Sequence, residues 1–360
     1  MKIAIFHHYF DEIGGAELVI LHLAKRINAT IITTNINQDK INKLGFSDVK
    51  FISIGRIPKL DHLKQLFCLF KFKRLNLVHK FDFFIFGGCF TLPAAKHHSP
   101  NIWICFSPAR GLYDLRYYES SKYNFILQLF KSLIIKFDQC WVKSINSINV
   151  PSILVKERVK KYYNRDSKVI YHPIHLENFH YSSNSDYWLS VTRIDPYKRI
   201  EIQLNTFNKL KNKKLLIIGD SNKQNKKYFN KLKKNAPKNV IFIGGVYNKK
   251  KLSNFYSNCK GFIATSKNED FGLSVIEAMA SGKPVVAGNE GGYKETVING
   301  KTGILIDDID EKKLAKAINQ IDYELNKNPS KYKNDCINQA RKFSVNNFIK
   351  QIKKEIKDAF

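Results

Sequence analysis

Short apolar runs alternate with segments whose apolar residues recur every three or four positions, and the alternation continues along all 360 residues. Such runs fit strands buried on both faces, and the segments between them fit amphipathic helices. The pattern therefore predicts parallel sheets wrapped by helices. In the first half it predicts strands over 2–10, 30–34, 81–86, 101–106, 139–142 and 168–171, and helices over 16–27, 60–79, 123–137 and 145–163. Residues 172–186, rich in His, Asn and Ser, show no period, and the domain boundary is placed there. A second series predicts strands over 187–191, 214–218, 240–243, 261–264, 284–287 and 303–306. Its helices fall over 199–210, 226–235, 249–258, 273–281 and 311–321. The division is 1–175, 176–343, and a last helical segment, 344–360, free by sequence to pack back on the first domain. The expected fold class is α/β, with two doubly wound domains facing each other across a cleft that receives the ligand at the strand ends.

Composition narrows the class. An apolar fraction of 44% with 13% aromatic residues excludes a disordered chain. The longest weakly charged run, 83–95, is too short for a membrane span of about 20 residues. Met1-Lys2-Ile3-Ala4-Ile5-Phe6 leads into His7-His8 and reads as a first strand rather than a signal peptide. The net charge of +29 divides as +13 and +16 between the halves, so there is no basic tail. Such a field favours anionic partners: nucleotides, lipid head groups, phosphorylated carriers or nucleic acid. With 50 Lys to 10 Arg, coding bias accounts for the charge equally well, and it selects no partner by itself. None of the six cysteines forms Cys-x-x-Cys, so they read as free thiols in a reducing, cytoplasmic compartment rather than a zinc site.

Three constellations carry chemistry. Gly14-Gly15-Ala16-Glu17 follows the first strand and opens a helix, where free N–H groups and a positive helix end suit a phosphate. It is not Gly-x-Gly-x-x-Gly, which argues against a nicotinamide dehydrogenase. Arg193-Ile194-Asp195-Pro196-Tyr197-Lys198-Arg199 puts three cations at a strand end, suited to a diphosphate or simply a solvated basic loop. The most specific string runs from Asn268-Glu269-Asp270-Phe271-Gly272-Leu273 through Glu277 to Ala287. Carboxylates beside glycine-exposed N–H groups suit a ligand bearing both hydroxyls and phosphates, a nucleotide sugar.

That string, with its Glu-x7-Glu spacing, resembles the donor site of the retaining glycosyltransferases of family 4, two-domain GT-B enzymes of the mannosyltransferase-like group 1. The glycine loop at Gly14, Cys105-Phe106-Ser107-Pro108-Ala109-Arg110, Val169-Ile170-Tyr171-His172-Pro173-Ile174, Ile218-Gly219-Asp220 and Gly291-Gly292-Tyr293-Lys294-Glu295 fall in the family's order. The resemblance implies that Arg193 and Lys198 hold the diphosphate and that Glu269 bonds sugar hydroxyls. It implies that the Phe271, Gly272 and Leu273 backbone lies against the sugar, that Glu277 binds the ribose, and that Gly14 and Gly15 approach the diphosphate. Ser107 and Arg110 would face the acceptor. Relatives commonly carry His where this chain has Phe106, and spacing does not choose a substitute among His7, His8, His97 and His98.

The implied reaction is retaining transfer of a hexose, mannose favoured and GDP-mannose as donor, to a glycan or lipid-linked acceptor in surface polysaccharide or glycoconjugate synthesis. No cofactor is expected, and without Asp-x-Asp near the site no obligatory metal. Glu269→Ala and Lys198→Ala are expected to abolish transfer with little change in melting temperature. Residues 56–80 hold seven basic residues and one acid interleaved with Leu and Phe, and 125–137 are similar; both fit either a core-facing helix or peripheral contact with an anionic membrane's inner face. The competing readings are a nucleotide-sugar epimerase on the same fold and a basic, non-enzymatic lipid or nucleic-acid binder. The second leaves Glu269 and Glu277 unexplained, and no specific nucleic acid is expected.

Overall fold

The computed structural model describes residues 1–58, 61–113, 125–183 and 186–359. The chain divides into two compact units, Met1–His172 with Val345–Phe360, and Pro173–Ser344. The first holds a seven-stranded, all-parallel sheet of β1 (Ile3–Phe6), β2 (Thr30–Thr33), β3 (Lys50–Ser53), β4 (Phe83–Phe86), β5 (Asn101–Ile104), β6 (Ser147–Val150) and β7 (Lys168–Val169). Their spatial order is 3-2-1-4-5-6-7. The second unit holds β8 (Tyr187–Val191), β9 (Lys214–Ile218), β10 (Val240–Gly244), β11 (Gly261–Ala264), β12 (Val285–Gly288) and β13 (Gly303–Ile306), in the order 10-9-8-11-12-13 and again all parallel. Each sheet reverses its winding beside its own first strand, between β1 and β4 and between β8 and β11. Loops leaving the carboxyl ends of those strands are where doubly wound folds bind ligands. The α/β doubly wound class is as the sequence implied.

Strands buried on both faces explain the unbroken apolar runs. Ile3 and Ile5 pack to one side of the first sheet with Val19, Ile20 and Leu23 of helix α1 (Gly15–Ile27). Ala4 and Phe6 pack to the other with Phe84, Phe86 and Trp103. The last helix, Val345–Asp358, buries Val345, Phe348, Ile349, Ile352 and Ile356, a three-four repeat, in the core that contains α1. Glu355 fastens it, accepting hydrogen bonds from Lys168 Nζ at 2.8 Å and Ser147 Oγ at 3.0 Å. Each such buried aliphatic contributes about 1.5–3 kcal/mol.

Several expected elements are placed differently. Residues 139–142 are not a strand but the end of the helix Phe125–Lys143, since a four-residue apolar run reads as either. The strand lies inside the expected helix 145–163, which Pro151 divides: β6 precedes it, and Ser152 Oγ caps the helix Ile153–Tyr163 by accepting from Val155 N at 3.1 Å. The first strand ends at Phe6 rather than residue 10. Strand β3, on the sheet edge and mostly exposed, carries no apolar run and was not expected. The expected helix 60–79 is helical over Asp61–Lys73, and residue 60, like 123–124 of the next expected helix, lies outside the described residues.

Candidate functional site

In the second unit the loops after β8 and β11 meet at the winding reversal. After β8 the chain makes one 3-10 turn, Pro196–Lys198, and Arg199 takes a left-handed φ of 51° before the helix Ile200–Lys209. Proline is preset for the first position of such a turn. The turn sends Lys198 inward and leaves the Arg193 side chain 76% exposed. The two loops are tied through backbone: Lys267 N donates to Tyr197 O at 2.8 Å, and Thr265 Oγ1 donates to Lys198 O at 2.7 Å.

Buried between them, Lys198 Nζ donates to Glu269 Oε2 at 2.6 Å. Burial alone would lower the lysine pKa, but the Glu269 carboxylate beside it outweighs burial and the ammonium is held above its ordinary value. Arg193 Nη2 donates to Tyr197 Oη at 2.8 Å, and its Nε lies 3.9 Å from Asp195 Oδ2. The third cation is structural: Arg199 Nε donates to Thr265 O at 2.6 Å, and Nη2 binds the Glu290 carboxylate. Sequence alone did not separate this strut from the exposed Arg193 and the buried Lys198.

Gly291, at φ 60°, lets its loop lie against the Glu269 backbone; a Cβ there would stand 2.6 Å from Glu269 O. Gly272, at φ 90°, caps the helix Leu273–Ala280, whose first N–H groups have no intrahelical partner. The Phe271 ring is core, edge-on to Phe343 at 5.5 Å, so only its backbone borders the loop. Glu277 does not join the Lys198–Glu269 pair. Its Oε2 accepts from Tyr256 Oη at 2.7 Å, and burial pushes its carboxyl up to about 7 against the opposing pull of that bond. Tyr256 carried no sequence signal, and Tyr293, which walls the Gly272 turn, stood in a quoted segment without a role. Because Lys198 and Glu269 bury each other's charge, single substitutions there should cost stability; the unchanged melting temperature expected from sequence does not follow.

Gly14, Gly15, Ser107 and Arg110 belong to the first unit. Glu17 Oε2 accepts from Gly14 N at 2.8 Å and Oε1 meets His7 Nε2 at 3.1 Å, while His7 Nδ1 lies 3.0 Å from Gly87 O. Burial would raise the Glu17 pKa, but His7 and the Gly14 N–H bring it down to about 2. Ser107 Oγ is buried with no hydrogen-bond partner among the described residues. Phe106 packs on His172, ring centroids 4.8 Å apart, and burial presses the His172 pKa down to about 3. His98 is a core residue, Nε2 accepting from Leu77 N at 2.9 Å and Nδ1 facing Ala94 O at 2.7 Å.

Residues 177–343 match the model of the family described as glycosyl transferases group 1. An uncharacterized glycosyltransferase of Methanocaldococcus jannaschii is 24% identical over 320 residues, 85% of this chain and 84% of the relative. The O-antigen chain mannosyltransferase RfbU of Salmonella typhimurium is 26% identical over 310 residues, 81% of each chain. Among solved structures, Anabaena HepE in complex with UDP and glucose superposes with a TM-score of 0.80, 19% identity and 99% of both chains covered. The lipopolysaccharide outer core galactosyltransferase WaaB superposes with a TM-score of 0.71, 19% identity and full coverage of both.

Proposed function

Since the chain belongs to the glycosyl transferases group 1, through residues 177–343, we propose that it transfers a hexose from a nucleoside-diphosphate sugar to a hydroxyl of a glycan or lipid-linked glycan, with retention at the anomeric carbon. The observation that carries the reading is the Lys198–Glu269 ion pair beside the exposed Arg193 guanidinium, at the winding reversal of the second sheet. When the anomeric C–O bond breaks, the bonding pair goes to the departing diphosphate. Arg193, a forked donor, and Lys198, a buried point charge, oppose that growing negative charge. Glu269 fixes the lysine and offers its other oxygen to sugar hydroxyls. The acceptor hydroxyl attacks the same face, and its proton passes to the departing phosphate oxygen. With two cations in place the diphosphate needs no Mg²⁺, and the reading needs no cofactor.

Mannose is the favoured sugar, supported by relatives named mannosyltransferases. A UDP-hexose is the second reading, supported by the UDP and glucose of the Anabaena structure. The test is to incubate purified protein with GDP-mannose, UDP-glucose, UDP-galactose and UDP-GlcNAc plus lipid and glycan acceptors. Nucleoside diphosphate release and the anomeric configuration of the product are then read. Acceptor-dependent release from one donor with an α-linked product fits the reading; conversion of the sugar without acceptor would make the protein an epimerase.

The acceptor is inferred to lie at an anionic membrane. Two helices of the first unit carry apolar side chains outward: Leu63, Leu66, Phe67 and Phe70 on Asp61–Lys73, and Leu133, Ile134 and Phe137 on Phe125–Lys143. Two charged groups of these helices, Lys64 and Asp138, are buried instead. Lys64 pairs with Asp11 at 2.8 Å, and Asp138 accepts from Tyr113 and Tyr163, each at 2.8 Å. Exposed Arg56, Lys73, Arg74, Lys136 and Lys143 supply the charge complementary to acidic head groups. Among the described residues no helix is long and apolar enough to cross a membrane.

A further inference from the structure

One cluster in the first unit is not used by the proposed reaction. His7 and His8 leave the end of β1, Glu17 lies in the first turn of α1, and Gly87-Gly88 leave β4, so the cluster occupies that sheet's winding reversal. His7 Nδ1 lies 3.0 Å from Gly87 O. A carbonyl oxygen only accepts, so Nδ1 carries the hydrogen. The neutral ring then turns its Nε2 lone pair toward Glu17 Oε1, 3.1 Å away, another acceptor. Two acceptors at that distance need something positive: a second ring proton or a metal ion.

The surroundings favour a metal ion. His8 stacks on His7, centroids 4.3 Å apart and planes 27° from parallel, and its Nδ1 is buried with no hydrogen-bond partner among the described residues. One ligand atom from each of His7, His8 and Glu17 lies within 4.8 Å of the others. A tetrahedral ion with bonds of about 2.1 Å sets its ligand atoms about 3.4 Å apart. The His7–Glu17 separation of 3.1 Å is within about 0.3 Å of that value, and His8 needs to move by about 1.4 Å or less to reach it. The outer contacts suit a metal centre too: the Gly87 carbonyl fixes the His7 tautomer, and the Gly14 N–H holds the second Glu17 oxygen. Gly88 makes room, because a Cβ there would stand 2.1 Å from His8 Nδ1.

We propose that His7, His8 and Glu17 form a three-ligand site for one divalent transition-metal ion of the zinc class, with a fourth position left open. Two imidazoles and one carboxylate suit zinc, cobalt or ferrous iron better than magnesium or calcium, which prefer oxygen. Bound there, the ion ties the end of β1 to the first turn of α1, and so fixes the Gly14-Gly15 loop. The site lies wholly in the first unit and does not depend on the reaction assigned to Lys198 and Glu269.

Cobalt gives a direct readout. The full chain, stripped with a chelator, is titrated with Co²⁺ and then with competing Zn²⁺, alongside His8→Asn and Gly88→Ala. The expected result is one Co²⁺ per chain, with visible bands of a four- or five-coordinate ion and no thiolate charge-transfer band. Zn²⁺ should abolish the bands, and each variant should weaken binding at least tenfold. Gly88→Ala retains every ligand and acts only by crowding His8, which guards against a folding defect in His8→Asn. Absence of cobalt bands in the wild type would overturn the site. Wild-type binding in both variants, or a thiolate band, would place the ion elsewhere and overturn the proposal equally.

Discussion

Replacing Lys198 by Met removes a buried cation whose Nζ stands 2.6 Å from Glu269 Oε2. At an effective dielectric constant of about 20, unit charges at that distance attract by about 6 kcal/mol, a figure that desolvation largely offsets. Removing one partner of a buried pair costs about 3–5 kcal/mol, because the other charge is left uncompensated. Glu269 retains some solvent contact, its side chain 21% exposed, so the lower end applies. A loss of about 3 kcal/mol in a domain of this size lowers the melting temperature by about 6–12 °C. Glu269→Gln should act in the same direction. The double variant should recover at least about 2 kcal/mol relative to the sum of the singles, the signature of direct contact. Urea unfolding of the four proteins measures this, and turnover of the donor is followed in parallel. Transfer should drop by about 10²–10³ in Lys198→Met, the usual cost of losing one preorganised charge partner, and should stay low in the double variant. Additive stabilities would refute the ion pair. Stability and activity recovering together would make the pair only a strut.

Glu277, held up at about 7 in the folded state against an ordinary value of 4.5, keeps its proton over that window while the unfolded chain releases it. Stability should therefore fall as pH rises from about 4.5 to 7, and Glu277→Gln should flatten the profile in urea titrations across pH. If the carboxylate accepts ribose hydroxyls, nucleotide affinity should rise through the same upper range, and only in the wild type. Gly291→Ala, whose Cβ would meet the Glu269 backbone at 2.6 Å, should weaken nucleotide binding at least tenfold by calorimetry, whereas Gly300→Ala, equally left-handed but in open space, should cost only stability. In flotation assays the chain should rise with vesicles containing acidic lipid and not with neutral ones, and Leu66→Ser with Phe70→Ser should abolish the effect; equal flotation with both lipids would remove the membrane footprint.

Much of the fold was legible because burial on both faces leaves uninterrupted apolar runs, as in 214–218 and 261–264, each matched residue for residue by a strand. Where that signal failed, the cause was local. Gln139-Cys140-Trp141-Val142 is as apolar as a strand yet continues a helix whose outward face is also apolar, so neither period nor amphipathicity distinguished them. Pro151 and Ser152, a break followed by a cap, held the correction. At the site, the Glu-x7-Glu string marked the loop but not its wiring. Glu269 meets Lys198 from 71 residues away and Glu277 meets Tyr256 across a helix pair, contacts set by sheet order rather than by spacing. Glu17 stood in a quoted motif without a role until the structure placed His7 against it.

Titration calorimetry of GDP, GDP-mannose and the UDP-sugars, with wild-type protein and with Arg193→Ala and Lys198→Met, probes most directly whether the second unit grips an activated sugar through its cations. One nucleotide series should bind the wild type at a single site per chain, and each substitution should weaken the diphosphate form by at least tenfold. Binding of every nucleotide that is absent in the wild type, or untouched by either substitution, would contradict the account.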